Sequence, residues 1–356
     1  MTSAQNDTQT QKYFAENKFF GLSPDQVHFF KQLSLPCYEE ETGKILMESS
    51  GRMCLAPGGN GGVYTALTTP PHGEKESVLQ RMERMGIKYV QIGNVDNMLA
   101  KVADPIFIGF AVKEHVDVVV KSSPKTCPEE SVGVFVRADG EWGVVEYTEV
   151  GERAKEVNSA TGELRFNCAN ISCNVCSVPF LRVAAEHMKS FTRYHIARKK
   201  IPTINGPTMG VKLEAFIFDL FQFAKECGSD SAQGGGFRIM QVDRSEDFAP
   251  IKNAEGATSD TPTEAARLTL ALHKRWLTAA LQAIAAAGGA DAKDATAALA
   301  VLQRDSVSVE VSPLVSSGGE GLAPYLPRVI QQLLCGEGEK ILVDREDEHV
   351  MDRSNI

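Results

Sequence analysis

Long apolar runs are missing from this sequence. Nowhere do about eighteen hydrophobic residues follow one another, and no basic-then-apolar leader opens the chain, so neither membrane spans nor secretion is expected. Positive charge is also in short supply: 37 Lys and Arg stand against 46 Asp and Glu, for a formal net charge of −9. A broad nucleic-acid surface needs clustered cations, so no nucleic-acid partner is expected. A phosphorylated small molecule remains open, because a few local lysines suffice to hold it. Cysteines number eight in 356 residues, too sparse for a disulfide scaffold and suited to reduced cytoplasmic thiols buried as small hydrophobes.

What is present is ordinary globular material. Hydrophobic residues make up 43 % and charged residues 23 % of a chain long enough for about two domains. Ile87–Ile92 reads as a strand, Pro105–His115 as a helix and Val116–Val120 as a buried strand, in the order of a βαβ unit. Further strands are expected near Val27–Phe30, Val132–Val136 and Val144–Tyr147. Leu213, Phe216, Ile217, Leu220, Phe221 and Ala224 fall on one face of a helical wheel, which predicts an amphipathic helix over 213–224. A Gly/Ser-rich insertion follows at Gly228–Gly236, then a mostly helical stretch over 262–304 broken at Gly288 and Gly289, then a strand near Val307–Val311. The fold class is α/β, with segments at 1–260, 261–305 and 306–356.

Four features could carry chemistry. RFNCANISCNVCSVPF sets Cys168, Cys173 and Cys176 at the C-x₄-C-x₂-C spacing of a two-iron cluster, but no histidine sits nearby at metal spacing. The alternative is packing, with Asn167 and Asn170 carrying the function. LAPGGNGGVY (Leu55–Tyr64) lets backbone N–H groups approach a ligand before a helix start, or else makes a tight turn. Asp96, in NVDN after the strand at 87–92, suits either a magnesium ion beyond the strand ends or a helix cap. Lys212 in GVKLEAF, at the start of the expected helix, and Lys252 in APIKNAEG are phosphate partners or simply solvated cations.

Taken together, the words FFGL, LAPGGNGG, VDNMLAKVADPIFIGF, GVVEYTE, LRFNCANIS, VPFL, ARKKIP, KLEAFIFDLFQFAK, PIKNAEG and VEVSPLVSSGGEGL resemble, in order, those of eukaryotic UDP-N-acetylhexosamine pyrophosphorylases. The resemblance implies a Rossmann-like nucleotidyltransferase core, similar to glycosyltransferase-A folds, with a mixed sheet flanked by helices and a small C-terminal α/β segment. It implies the reaction of UTP with N-acetylglucosamine 1-phosphate to give UDP-N-acetylglucosamine and diphosphate, assisted by Mg²⁺ or Mn²⁺. By position, Gln32 and Gly59 correspond to uracil-reading residues. Asn60, Gly133, Glu146 with its neighbour Tyr147, and Asn170 correspond to sugar contacts. Asp96 corresponds to a catalytic carboxylate that holds metal and nucleotide, Lys212 to a nucleotide contact, and Lys252 to a catalytic and sugar-phosphate lysine. On this reading the three cysteines fill space.

Two departures stand out. The family's Gly-Gly-x-Gly-Thr-Arg loop is absent, which leads us to expect an N-terminally truncated chain whose Met1 is an internal methionine and whose sheet neighbours are left with unpaired edges. Gly58 stands where the family usually has Asp. Activity of the chain by itself is open on these grounds. A non-catalytic UDP-sugar-binding fragment or a related UDP-sugar pyrophosphorylase are the alternatives.

Overall fold

The computed structural model describes residues 1–138, 140–226, 236–336 and 340–345, which pack as two compact units. The first unit holds Met1–Gly93 and Asp104–Gln241; the second holds Asn94–Ala103 and Val242–Ile356. Most of the glycine-rich insertion, and Cys227, lie outside the described residues.

The first unit is built on a six-stranded mixed sheet. Its order is Phe237–Gln241, Val118–Pro124, Cys168–Ser177, Val134–Ala138 and Glu141–Val145, with Tyr89–Gly93 also paired to Cys168–Ser177. Val118, Val119 and Val120 are fully enclosed, as a continuous β-branched run between two neighbouring strands should be. Tyr89–Gly93 and Val118–Pro124 run parallel, joined by the helix Pro105–Lys113, but the antiparallel Cys168–Ser177 strand lies between them. Asp104 caps that helix by accepting from the amides of Ile106 and Phe107 at 3.0 and 3.2 Å, and Pro105 supplies a pre-set first turn. Tyr89–Gly93 has one partner strand among the described residues.

On one face of the sheet, Tyr64, Leu79, Phe180, Leu181, Leu220 and Phe221 make the core, each contributing about 2 kcal/mol of burial. The Tyr64 hydroxyl donates to the Ile217 carbonyl at 2.8 Å, so its polar end is satisfied inside that core.

Two expectations are corrected. Val27–Phe30 forms no strand. The apolar face over 213–224 is not one helix: Thr208–Glu214 is a strand, paired antiparallel to His195–Ile201 and to the short strand Tyr38–Glu39. A 3₁₀ helix then runs Ile217–Glu226. The Ala215 amide donates to the Gly58 carbonyl at 2.8 Å, which commits the backbone there to a distant loop and delays the helix. The buried face survives in the 3₁₀ segment through Ile217, Leu220, Phe221 and Ala224.

The second unit packs the helices Pro262–Ala287, Ala292–Leu302 and Leu326–Cys335 around the parallel strands Ser308–Val311 and Lys340–Val343. Thr261 caps the first helix through the Glu264 amide at 3.2 Å, and Gly288, at φ 73°, ends it. Leu277, Leu281, Leu302, Val309, Leu333 and Ile341 share one core, so the helical stretch and the C-terminal α/β segment fold together.

Candidate active site

The glycine loop takes its shape from a close approach. Gly59 sits at φ 90° and ψ 168°, a region essentially closed to side chains, and a Cβ there would lie 2.3 Å from the Ala215 carbonyl oxygen. The Gly61 amide donates back to that same oxygen at 2.9 Å. Asn60 starts a 3₁₀ turn that leads into the helix Val63–Thr68, and its side-chain oxygen accepts from the Ile217 amide at 2.9 Å. What Asn60 offers a ligand is therefore its amide N–H₂. Gln32 lies against this loop: a Cβ on Gly62 would meet Gln32 Cβ and Oε1 at 3.5 Å. The Gln32 Oε1 atom is buried and has no hydrogen-bond partner among the described residues, which for a polar atom costs about 1–3 kcal/mol.

A second group forms on the sheet. The strand Cys168–Ser177 changes register between Asn170 and Asn174, with Ser172 at φ 55° and its amide on the Asn170 side-chain oxygen at 2.9 Å. Such a bulge re-aims the side chain beside it. The Asn170 amide donates to the Gly133 carbonyl at 2.8 Å, and a Cβ on Gly133 would lie 2.7 Å from Glu146 Oε1. Gly133, Glu146 and Asn170 therefore come together. Glu146 caps the one-turn helix Tyr147–Val150, on which Tyr147 is 49 % exposed. The same bulged strand disperses the thiols: Cys168 Sγ lies 3.1 Å from Ser122 Oγ, Cys173 Sγ accepts from Gln91 at 3.7 Å, and Cys176 packs in the core. Burial pushes the Cys168 thiol up, against the pull of Ser122, which disfavours the thiolate a metal needs. Among the described residues no group of three or more His, Cys, Asp or Glu is placed to hold a metal.

Lys212 lies mid-strand rather than at a helix start, opposite Ala197. It lines a cavity of about 400 Å³ with Glu48, Arg52, Lys200 and the thiol residues Cys37 and Cys54, and none of the other candidate ligand residues lines that cavity. Burial raises the Cys37 thiol's pKa while the charge of Lys212 lowers it in part.

In the second unit, Asp96 and Lys252 are brought onto adjoining segments. Asn97 and Pro250 form an antiparallel bridge, and the Ile251 amide donates to the Asp96 carbonyl at 2.8 Å. The half-buried Asp96 caps no helix; Asp104 does that work. Lys252 is exposed, its Nζ 5.8 Å from the centre of the Phe248 ring, and the amides of Lys252 and Asn253 both donate to the Asp260 carbonyl.

Sequence reasoning missed the residues that hold these groups. Asn97 donates to the Asp247 carbonyl at 2.7 Å and accepts from Ala249 at 2.9 Å, clamping the Asp96 and Lys252 segments. Its signal was present beside Asp96 in NVDN. His195, two residues before the word ARKKIP, places Nε2 3.1 Å from both oxygens of Asp219 and Nδ1 3.5 Å from Glu149. Nothing local marks that triad.

Most of the chain is similar to known proteins. The chain is 41 % identical over 325 residues to UDP-N-acetylglucosamine diphosphorylase 2 of Arabidopsis thaliana, covering 90 % of this chain and 59 % of that one. It is 33 % identical over 342 residues to the UDP-N-acetylglucosamine pyrophosphorylase of Saccharomyces cerevisiae, covering 93 % and 65 %. Among solved structures, the uridine diphosphate N-acetylglucosamine pyrophosphorylase of Trypanosoma brucei in complex with inhibitor superposes with a TM-score of 0.89 at 59 % identity, over 97 % of this chain and 66 % of that one. The chain spans about three fifths of the length of the Arabidopsis relative. The UTP–glucose-1-phosphate uridylyltransferase family model matches residues 1–277, a stretch that carries the glycine loop, the bulged strand and the Asp96 and Lys252 segments, and the chain belongs to that family.

Proposed function

We propose that this chain carries the uridine and N-acetylhexosamine contacts of a cytoplasmic uridylyltransferase that converts UTP and N-acetyl-α-D-glucosamine 1-phosphate to UDP-N-acetylglucosamine and diphosphate. The observation that carries the reading is Gln32 Oε1, a buried acceptor against the glycine loop with no partner among the described residues. Uracil presents one ring N–H donor that such an acceptor would satisfy, with the Gly59 backbone as the neighbouring contact for the base. Gly133, Glu146, Asn170 and the Asn60 amide serve the sugar, with Tyr147 beside them. A carboxylate accepting from hydroxyls and two side-chain N–H₂ groups that donate, their oxygens being held by the Ile217 and Ser172 amides, suit a polyol carrying an N-acetyl group.

The chemistry is in-line attack of the sugar phosphate oxygen on the α-phosphorus of UTP, with diphosphate leaving. Such transfers depend on positioning and charge neutralisation rather than a covalent nucleophile. Lys252 supplies a point charge to the phosphates, and Lys212 a second one on the nucleotide. Asp96 is a fit ligand for Mg²⁺ or Mn²⁺, since Mg²⁺ takes one or two protein carboxylates and completes its shell with substrate phosphates and water. When bound, the ion neutralises phosphate charge. The excess of acidic over basic residues argues against a nucleic-acid surface, and among the described residues no helix is long and apolar enough to cross a membrane.

The test is release of diphosphate from UTP and N-acetylglucosamine 1-phosphate by the purified chain, with calorimetric binding of UDP-N-acetylglucosamine measured alongside. Binding with turnover supports the enzyme, and binding alone supports a UDP-sugar-binding fragment. Absence of both overturns the reading. Gln32→Leu should raise the KM for UTP about tenfold.

A further inference from the structure

We propose that His195 is a positioning residue for the sugar contacts, tying the Glu146 turn to the Asn60 loop through two carboxylates. The proposal rests on the sugar-binding reading above and adds to it the device that sets the distance between its parts.

A line of polar contacts runs from one group to the other inside the first unit. The Glu146 amide donates to Glu149 Oε2 at 3.2 Å, and Glu149 Oε1 lies 3.5 Å from His195 Nδ1. His195 Nε2 faces both Asp219 oxygens at 3.1 Å, and Asp219 Oδ2 accepts the Phe216 amide at 3.2 Å. The next amide, Ile217, donates to Asn60 Oδ1 at 2.9 Å. Each link is backbone to side chain or carboxylate to imidazole, so displacement of any one member changes the next.

Three features single out His195 as the centre. Its side chain and that of Asp219 are only 10 % and 9 % exposed, whereas Glu149 is 40 % exposed, so the inner pair is fixed and the outer carboxylate reports on the Glu146 turn. The imidazole presents a ring nitrogen to each of two carboxylates on opposite sides, a reach that neither asparagine nor glutamine has at the same spacing. The ring is also held sideways, its centre 4.5 Å from Phe216 and 6.1 Å from Phe218, and its strand residue is opposite Glu214 in the register. The charged groups facing it are therefore Asp219, Glu149 and, on the paired strand, Glu214. In the reaction proposed above His195 touches no substrate. It fixes where Glu146 and Asn60 stand.

The test is calorimetric affinity of the full chain for UDP-N-acetylglucosamine and for UDP, read as the ratio of the two dissociation constants. His195→Ala is expected to reduce the gain from the sugar about tenfold while UDP affinity stays within about twofold. His195→Gln, which keeps a donor toward Asp219, should recover part of that gain. Glu149→Gln, at a more exposed position, should lose part of it with an unchanged melting temperature, which covers the case in which His195→Ala fails to fold. An unchanged ratio in the variants, or equal loss for both ligands, overturns the proposal. If the unmodified chain binds UDP-N-acetylglucosamine no better than UDP, the sugar-site reading fails first, and the role of His195 falls with it.

Discussion

Replacing Gly59 by alanine is expected to pull the glycine loop off the segment beneath it. The new Cβ would stand 2.3 Å from the Ala215 carbonyl oxygen, 2.8 Å from its nitrogen and 3.1 Å from Glu214 Cα. All three are backbone atoms, so no side-chain rotation relieves the overlap and the loop must move. Three hydrogen bonds cross that contact: Ala215 to the Gly58 carbonyl at 2.8 Å, Gly61 to the Ala215 carbonyl at 2.9 Å, and Ile217 to the Asn60 side chain at 2.9 Å. At about 1 kcal/mol each they add to a backbone penalty of about 1–3 kcal/mol, for a total of about 4–6 kcal/mol. Gly51 is the control, since it has φ 86° but nothing within 4 Å of its would-be Cβ. Gly51→Ala should cost about 1–2 kcal/mol. Urea unfolding of the two variants side by side should therefore differ by about 3 kcal/mol, and Gly59→Ala alone should lose binding of UDP-N-acetylglucosamine. If the two variants unfold at the same urea concentration, the close approach is not what shapes this loop.

Gly133→Ala should weaken UDP-N-acetylglucosamine binding at least tenfold with little change for UDP, because the added methyl would sit 2.7 Å from Glu146 Oε1 and 2.9 Å from Val144 Cγ1; calorimetry with both ligands checks it. Lys252→Ala should lower turnover about 10²–10³-fold, and an unchanged rate of diphosphate release would remove it from the mechanism. Burial would raise the Asp104 carboxyl, but the bond from Lys121 at 2.7 Å and the Phe107 and Ile106 amides outweigh it and hold it below the ordinary carboxylate range. Its stabilisation is thus full above the unfolded value of 3.8 and is lost as pH falls through the lower folded value. Asp104→Asn should flatten that acid limb of the urea midpoint and, by removing the buried ion pair with Lys121, destabilise the fold by about 3 kcal/mol at neutral pH.

The parts of this protein that were legible in its sequence are those decided by local physics. The helices Pro262–Ala287 and Ala292–Leu302 follow from alanine-rich propensity and a glycine break, and the valines at 118–120 from the need of a central strand to be apolar on both faces. Leu213, Phe216 and Ile217 misled because their helical spacing is real while their partners are remote. Residues 208–214 gain hydrogen bonds from His195–Ile201 and Tyr38–Glu39, which outweigh any helical preference. Gly133, Glu146 and Asn170 were recognisable as words of a family, yet their meeting depends on a bulge that no pattern announces. His195 and Asp219 are 24 residues apart and acquire their pairing only when the hairpin is folded, so single-sequence reading had no purchase on them.

The most direct measurement is a crystal structure of the chain with UDP-N-acetylglucosamine. The uracil should lie against the glycine loop with its ring N–H within hydrogen-bond distance of Gln32 Oε1, and the sugar hydroxyls should reach Glu146 and Asn170. Ligand density elsewhere on the molecule, or a Gln32 side chain left without a partner beside bound nucleotide, would contradict the assignment.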